Sequence, residues 1–312
     1  MLFKFHILTL HMTAVFLVFG FGNHFVFAVD DGASAFPKGD ATTRPTKPNV
    51  LIMMADDMGV GDTSAYLDVR LSPASSPVKK TLRTPHLKQF AKSAIVFTDG
   101  YAPASMCSAT RYSLLTGRFA HRSYLKYQGW LPHGPNTPMI QKGMVTLPEM
   151  LQSNGYRTAG IGKYHVGMAF DNGDGEPAED FFFGDVDFTK PVLDGPTHHG
   201  FDEYYGVSGN TEDPLDTEPR ILIRNDHFTF TDRSQMKLIG MKNHKGRILS
   251  APDWDLSKLG PLYLQEAESF LTRQSSNGTQ PFFLYYVPNA NHFQRNPHGD
   301  YAVPEKIAGT KI

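Results

Sequence analysis

Apolar positions along this chain follow two rhythms. Val50–Met54 is an unbroken apolar run that stops at Ala55 and the carboxylates Asp56 and Asp57. A short continuous run of this kind, bounded by polar residues, is the pattern of a strand buried on both faces of a parallel sheet. Thr158–Ile161 leads in the same way into Lys163 and His165, and Phe282–Val287 into Asn289-Ala290-Asn291-His292. Ile95–Phe97 is a further strand candidate. Between these runs the spacing lengthens to that of a helix. Thr84-Pro85 supplies an N-cap and a first-turn proline, and Leu87, Phe90, Ala91 and Ala94 form the apolar stripe behind them. Cys107–Thr116 reads as a helix closed by Gly117, Pro148 opens another that Asn154-Gly155 ends, and 261–273 carries Leu262, Leu264, Ala267, Phe270 and Leu271 at helical intervals.

Strands alternating with helices predict an α/β fold with a largely parallel central sheet. Ligands of such sheets bind beyond the carboxyl ends of the strands. Asp56, Asp57, Lys163, His165 and His292 all fall at those ends, which makes them the candidate site. Two stretches follow neither rhythm. Residues 67–83 carry Ser, Pro and Lys without pattern, and 171–196 scatters acidic residues among glycines. The latter reads as a solvated acidic loop, with a second cation site as the other reading; its spacing does not fit an EF-hand loop.

Residues 1–28 change the picture of where the protein works. Lys4 precedes an apolar stretch from Met12 to Phe27, and Val26-Phe27-Ala28 is a small-residue cleavage site, together the pattern of an export signal. Gly20, Gly22, Asn23 and His24 interrupt the stretch, so it is a poor bilayer span. The expected organisation is a signal peptide (1–28), a flexible lead-in (29–47) and one catalytic domain (48–312), exported to a periplasm or secreted, with no membrane span after cleavage. Charge is balanced, 30 Lys+Arg against 31 Asp+Glu, which argues against a nucleic-acid partner. One residue is out of place in an exported chain: Cys107 is its single cysteine and cannot form an internal disulfide. Buried packing, an intermolecular bridge and a reactive group are the three readings of such a thiol.

The residues around it favour the reactive group. Cys107-Ser108-Ala109-Thr110-Arg111, followed by Leu114-Leu115-Thr116-Gly117-Arg118, resembles the signature of the type I sulfatases of the alkaline phosphatase superfamily. Three further stretches resemble motifs of that family: Pro48 to Asp62 with Asp56-Asp57, Gly160 to Gly167 with Lys163 and His165, and Pro281 to His292. The resemblance implies a three-layer α/β sandwich of the alkaline-phosphatase type and hydrolysis of an alkyl, aryl or carbohydrate sulfate ester. It implies that a maturation enzyme oxidises Cys107 to formylglycine, whose hydrate is the nucleophile. Asp56, Asp57 and residue 107 would hold Ca²⁺ or Mg²⁺. Arg111 would hold the hydrate, Lys163 would contact a sulfate oxygen, and His165 would act as base in the collapse of the sulfated intermediate. His292 would contact the sulfate or protonate the leaving alcohol. The expected partner is a sulfated small molecule or polysaccharide. Physical chemistry agrees on two points: a helix N-terminus at Cys107 attracts an anion, and Arg111, one turn on, returns to the same face.

The chain departs from the family in three ways. Ala109 stands where much of the family has Pro, and Asn291 where it usually has Pro. Members are longer and carry an Asp-Asn pair of metal ligands and another Lys downstream of His292. Here Asp300 is followed by Tyr301, so the chain is expected to be the N-terminal portion, without the C-terminal subdomain and half the metal shell. A phosphodiester or phosphonate hydrolase of the same superfamily, and an inactive remnant that binds anionic glycans, are the competing readings. Asn277-Gly278-Thr279 is a glycosylation sequon, meaningful in a eukaryotic host.

Overall fold

The computed structural model describes residues 14–20 (as backbone), 47–66, 84–125, 132–211, 218–239, 247–276, 280–288 and 292. Along the chain these form β1 (Ala14–Gly20), β2 (Val50–Asp56), α1 (Pro85–Ala91), α2 (Cys107–Thr116), α3 (Leu147–Ser153), β3 (Arg157–Lys163), β4 (Glu203–Val207), β5 (Ile223–Arg224), β6 (His227–Phe228), β7 (Lys237–Ile239), β8 (Ile248–Ser250), α4 (Leu259–Ser276) and β9 (Phe282–Val287). The main sheet has the order β1-β2-β9-β3-β4-β5-β6, and β7 and β8 form a separate antiparallel pair. From β1 to β4 every neighbouring pair is parallel; β5 and β6 add an antiparallel edge.

Both faces of this sheet are covered. Phe283, Tyr285 and Val287 of β9, with Ile52 and Met54 of β2, pack against Ala109, Tyr112 and Leu115 of α2 and Leu151 of α3. Phe282 and Leu284, pointing the other way, join Ala159, Ile161 and Tyr205 against Leu259, Tyr263, Ala267 and Phe270 of α4. The unbroken apolar runs arise because alternate side chains enter two different cores. Helices on both faces make the three-layer sandwich that the sequence predicts.

Helix ends follow local chemistry. At α3, Thr146 Oγ1 accepts from Glu149 N, and Glu149 Oε2 accepts from Thr146 N, a reciprocal capping box. Gly117, with φ +66°, closes α2.

Several expectations need correction. Ile95–Phe97 is not a strand; it is half-buried chain outside any element. Both edges of β9 and of β3 are taken by other strands, so the central sheet has no place for it. No residue of α1 is fully buried, and Phe90 on its predicted apolar stripe is 36% exposed. The acidic stretch 171–196 is solvated as read, with Asp174, Glu176, Glu179, Asp180 and Asp185 exposed, but it is also pinned, with Phe183, Val186, Phe188 and Val192 in the core. Its carboxylates cap turns: Asp171 accepts from the backbone N–H of Gly173 and Gly175, and Asp185 from Glu179 and Asp180. Strands β4 to β6 had no counterpart in the apolar runs. The stretch 67–83, the sequon, most of the lead-in and the last twenty residues lie outside the described residues. Ala14–Gly20 pairs with β2 along its length, Ala14 opposite Val50 through Gly20 opposite Asp56.

Candidate active site

The carboxyl ends of β2, β9, β3 and β4 lie side by side, and each strand delivers a polar residue there. β2 ends at Asp56. The next residue, Asp57, turns away in the left-handed region, φ +55°. β3 ends at Lys163, and His165 follows, also left-handed at φ +52°. His292 follows β9. Tyr164 N–H donates to Val207 O and His165 N–H to Ser208 O, so the chain after β3 stays tied to the chain after β4.

Strand order decides the central contact. β9 lies between β2 and β3, so Asp56 and Lys163 stand two strands apart, about 9–10 Å across the sheet. The long Lys163 side chain spans that gap and donates to Asp56 Oδ2 at 2.6 Å. Arg111, fully buried in α2, reaches the same oxygen at 3.2 Å and donates through Nη1 to Lys163 O at 2.7 Å. Burial alone would raise the Asp56 carboxyl, but Lys163, Arg111 and His292 outweigh it and hold it well below the carboxylate range. Burial raises Asp57, and the Asp56 charge adds to it against His292.

Cys107 is the first residue of α2, following the extended Met106. Its Sγ lies 3.1 Å from His165 Nδ1. Burial pushes the thiol up despite Lys163 nearby, so the unmodified side chain is a thiol rather than a thiolate at neutral pH. Burial also pushes the His165 imidazole well below its ordinary value, reinforced by Lys163 and Arg111. His165 is therefore a neutral ring able to take a proton. His292 Nε2 stands 3.8 Å from Asp57 Oδ2. A shallow depression lined by Met54 to Asp56, Ala104 to Cys107, Thr110 and Arg111 adjoins this group.

All seven residues predicted from the sequence come together, although Asp56 and Lys163 are 107 positions apart and Cys107 and His165 are 58 apart. Ligand atoms of Asp56, Cys107 and His292 lie within 4.8 Å of one another. Among the described residues this is the grouping of three such ligands. It brings in His292, which the sequence reading kept for the sulfate or the leaving alcohol. Buried atoms of the site without a hydrogen-bond partner include Asp57 Oδ1, an acceptor, and Arg111 Nε, a donor. Unspent buried atoms of opposite kind suit a cation and an anion bound together. The sequence reading missed Ser208 and Glu218, which adjoin His165 through the β4 end; neither belongs to a motif or a periodic run that would have marked it.

Known proteins resemble this chain over most of its length. The family model described as Sulfatase matches residues 48–310. Arylsulfatase A of Bos taurus is 30% identical over 83% of this chain, which covers 44% of the relative. An N-acetylgalactosamine-6-O-sulfatase of Bacteroides thetaiotaomicron is 24% identical over 82% of the chain and 50% of the relative. A solved structure from work on glycosaminoglycan metabolism by Bacteroides thetaiotaomicron superposes with a TM-score of 0.62 at 22% identity, over 82% of this chain and 53% of that one. The chain thus spans about half the length of the relatives it matches.

Proposed function

Since the chain belongs to the sulfatase family, we propose that it is the catalytic portion of a sulfuric ester hydrolase acting on a sulfated carbohydrate, with residue 107 as nucleophile after oxidation to formylglycine. The observation that carries this reading is Cys107 Sγ at 3.1 Å from His165 Nδ1, on the first turn of a helix and beside two buried cations. A carbohydrate substrate is favoured by the N-acetylgalactosamine-6-sulfatases among the relatives.

Each side chain then has a task. Lys163 and Arg111 neutralise the sulfate oxygens, Lys163 as a point charge and Arg111 through its unspent Nε–H. The first N–H groups of α2 face the same anion. Neutral His165 takes the proton of a residue-107 hydroxyl at Nδ1, the atom that faces it. His292 donates a proton to the departing sugar oxygen. Formylglycine would supply a hydrated aldehyde, with one hydroxyl to act as nucleophile and a second whose proton His165 takes.

The donor set fits a divalent cation in part. Asp56, Asp57 and residue 107 would hold Ca²⁺ or Mg²⁺, with Asp57 Oδ1 free to do so. Asp56 Oδ2 is engaged by Lys163 and Arg111, so Asp56 offers Oδ1 unless Lys163 shifts. Two carboxylates provide fewer oxygens than the roughly six to eight that Ca²⁺ takes. Bound there, the ion would add positive charge against the sulfate. The leader pattern of residues 1–28 supports export, and Cys107 requires a formylglycine-generating partner.

The test is co-expression with such a maturation enzyme, confirmation of the oxidised residue by mass spectrometry, and assay on an aryl sulfate, a 6-sulfated N-acetylgalactosamine and an aryl phosphodiester, with Cys107→Ala as control. Sulfate ester turnover lost in Cys107→Ala supports the proposal. Preferred phosphodiester turnover reassigns the chain to the related hydrolases, and an inert, fully oxidised protein leaves an anion-binding remnant.

A further inference from the structure

His165 is held from behind as well as from the thiol side. Its backbone N–H donates to Ser208 O at 2.9 Å. The same Ser208 donates its hydroxyl to Glu218 Oε2 at 2.5 Å. Between them lies Gly209, whose φ is ordinary, so its lack of a side chain concerns space rather than conformation. A Cβ at Gly209 would stand 2.9 Å from Glu218 Cγ and 3.2 Å from His165 Cδ2. Glu218, the Gly209 backbone and the imidazole are therefore one packed stack. Glu218 is 5% exposed. Among the described residues the polar group facing its carboxylate is the Ser208 hydroxyl, and no cation offsets its burial.

We propose that Glu218 is a positioning residue: through Ser208 and Gly209 it fixes the bend after β4, and so aims His165 at residue 107. A carboxyl buried without a cation is an unusual choice for simple packing. It makes sense as a hydrogen-bond anchor for Ser208, whose carbonyl in turn fixes the left-handed His165. Burial pushes Glu218 up to about 8, so it is the neutral acid that performs this task at neutral pH. Glu218 does not touch the reacting atoms. The inference uses the proposed function to give His165 its work, but the positioning is measurable without turnover.

Amide hydrogen exchange on the full chain, read residue by residue, tests it. The His165 amide bonds directly to Ser208 O, and the Ile161 amide in β3 serves as internal reference. In Glu218→Ala, exchange at His165 should accelerate about tenfold or more relative to Ile161, as expected of local opening. Glu218→Gln, which keeps shape and an acceptor for the Ser208 hydroxyl, should restore wild-type protection. Ser208→Ala, the milder variant should Glu218→Ala not fold, should accelerate His165 in the same selective way. Unchanged His165 protection in Ser208→Ala, or acceleration shared equally with Ile161, overturns the proposal. A chain that shows the selective effect yet hydrolyses no sulfate ester refutes the sulfatase reading and leaves this one standing.

Discussion

Protonation at single residues sets the behaviour of the site. Folded His165 binds a proton only well below its ordinary pKa. Between that value and about 6.5 the unfolded chain is protonated there and the folded chain is not, so His165 makes stability fall as pH drops through this window. It also keeps the ring available as a base, so sulfate ester hydrolysis should not decline as pH falls through the usual histidine range. A loss of rate centred there, in kcat against pH, would mean that His165 titrates normally. Glu218 has the opposite sign. Its carboxyl rises from 4.5 unfolded to about 8 folded, so the folded chain keeps a proton that the unfolded chain has lost. Its stabilisation is complete below about 4.5 and lost as pH rises to about 8. Glu218→Gln should flatten the urea-denaturation midpoint against pH across that window; an unchanged slope would show that Glu218 ionises freely. At this scale the motifs singled out all seven residues that the structure brings together, because each sits a few positions from an unusual neighbour. Glu218 had no such neighbour: its role comes from burial, which no single position announces.

Elements owe their places to a few close approaches. Gly162, in β3 at φ +110°, would carry a Cβ 1.9 Å from Val287 O, and a Cβ on Gly206 would lie 1.8 Å from Gly162 O. β9, β3 and β4 pack backbone to backbone at the point where Lys163 emerges. Gly162→Ala should cost more than about 2 kcal/mol and displace Lys163, since both the conformation and the space exclude a side chain. Chemical denaturation with wild type alongside measures it, and a cost below about 0.5 kcal/mol would refute the close approach. Thr146→Ala removes one half of the α3 capping box and the bond from Thr146 Oγ1 to His199 O. It should cost about 1 kcal/mol without altering the site. These glycines and caps were visible as letters. Which of them faced a neighbouring backbone was not, since that depends on strands from distant parts of the chain.

At the scale of the whole molecule, the expected leader overlaps the sheet. The leader reading and β1 make different use of Ala14–Gly20. Export with cleavage after Ala28 removes that strand and opens the outer edge of β2 beside Asp56. Mass spectrometry of the exported protein should find Val29 as its first residue; retention of Ala14–Gly20 would assign the segment to the sheet instead. No helix among the described residues is long and apolar enough to cross a membrane. A cation held by Asp56 and Asp57 binds the folded chain alone, so Ca²⁺ at about a hundredfold excess over its Kd should stabilise by about 2.7 kcal/mol. A thermal shift with and without chelator measures this, and Asp57→Asn should abolish the gain. A shift equal in Asp57→Asn and wild type would place the ion elsewhere.

The sequence by itself determined the three inner strands β2, β3 and β9, most of the helices and the family, and it marked Cys107 as the candidate nucleophile. Each rests on residues close together in the chain: apolar runs that need two buried faces, caps within one turn, motifs a few positions long. It also predicted a strand at Ile95–Phe97 that does not form, because an apolar run does not say whether a sheet edge is open. Only the tertiary structure decided that β9, though last among the described elements, enters between β2 and β3, and that Glu218 stands behind His165. Pairing and burial between distant segments depend on which surfaces remain available once the rest has packed. That placement turns seven scattered polar residues into one site.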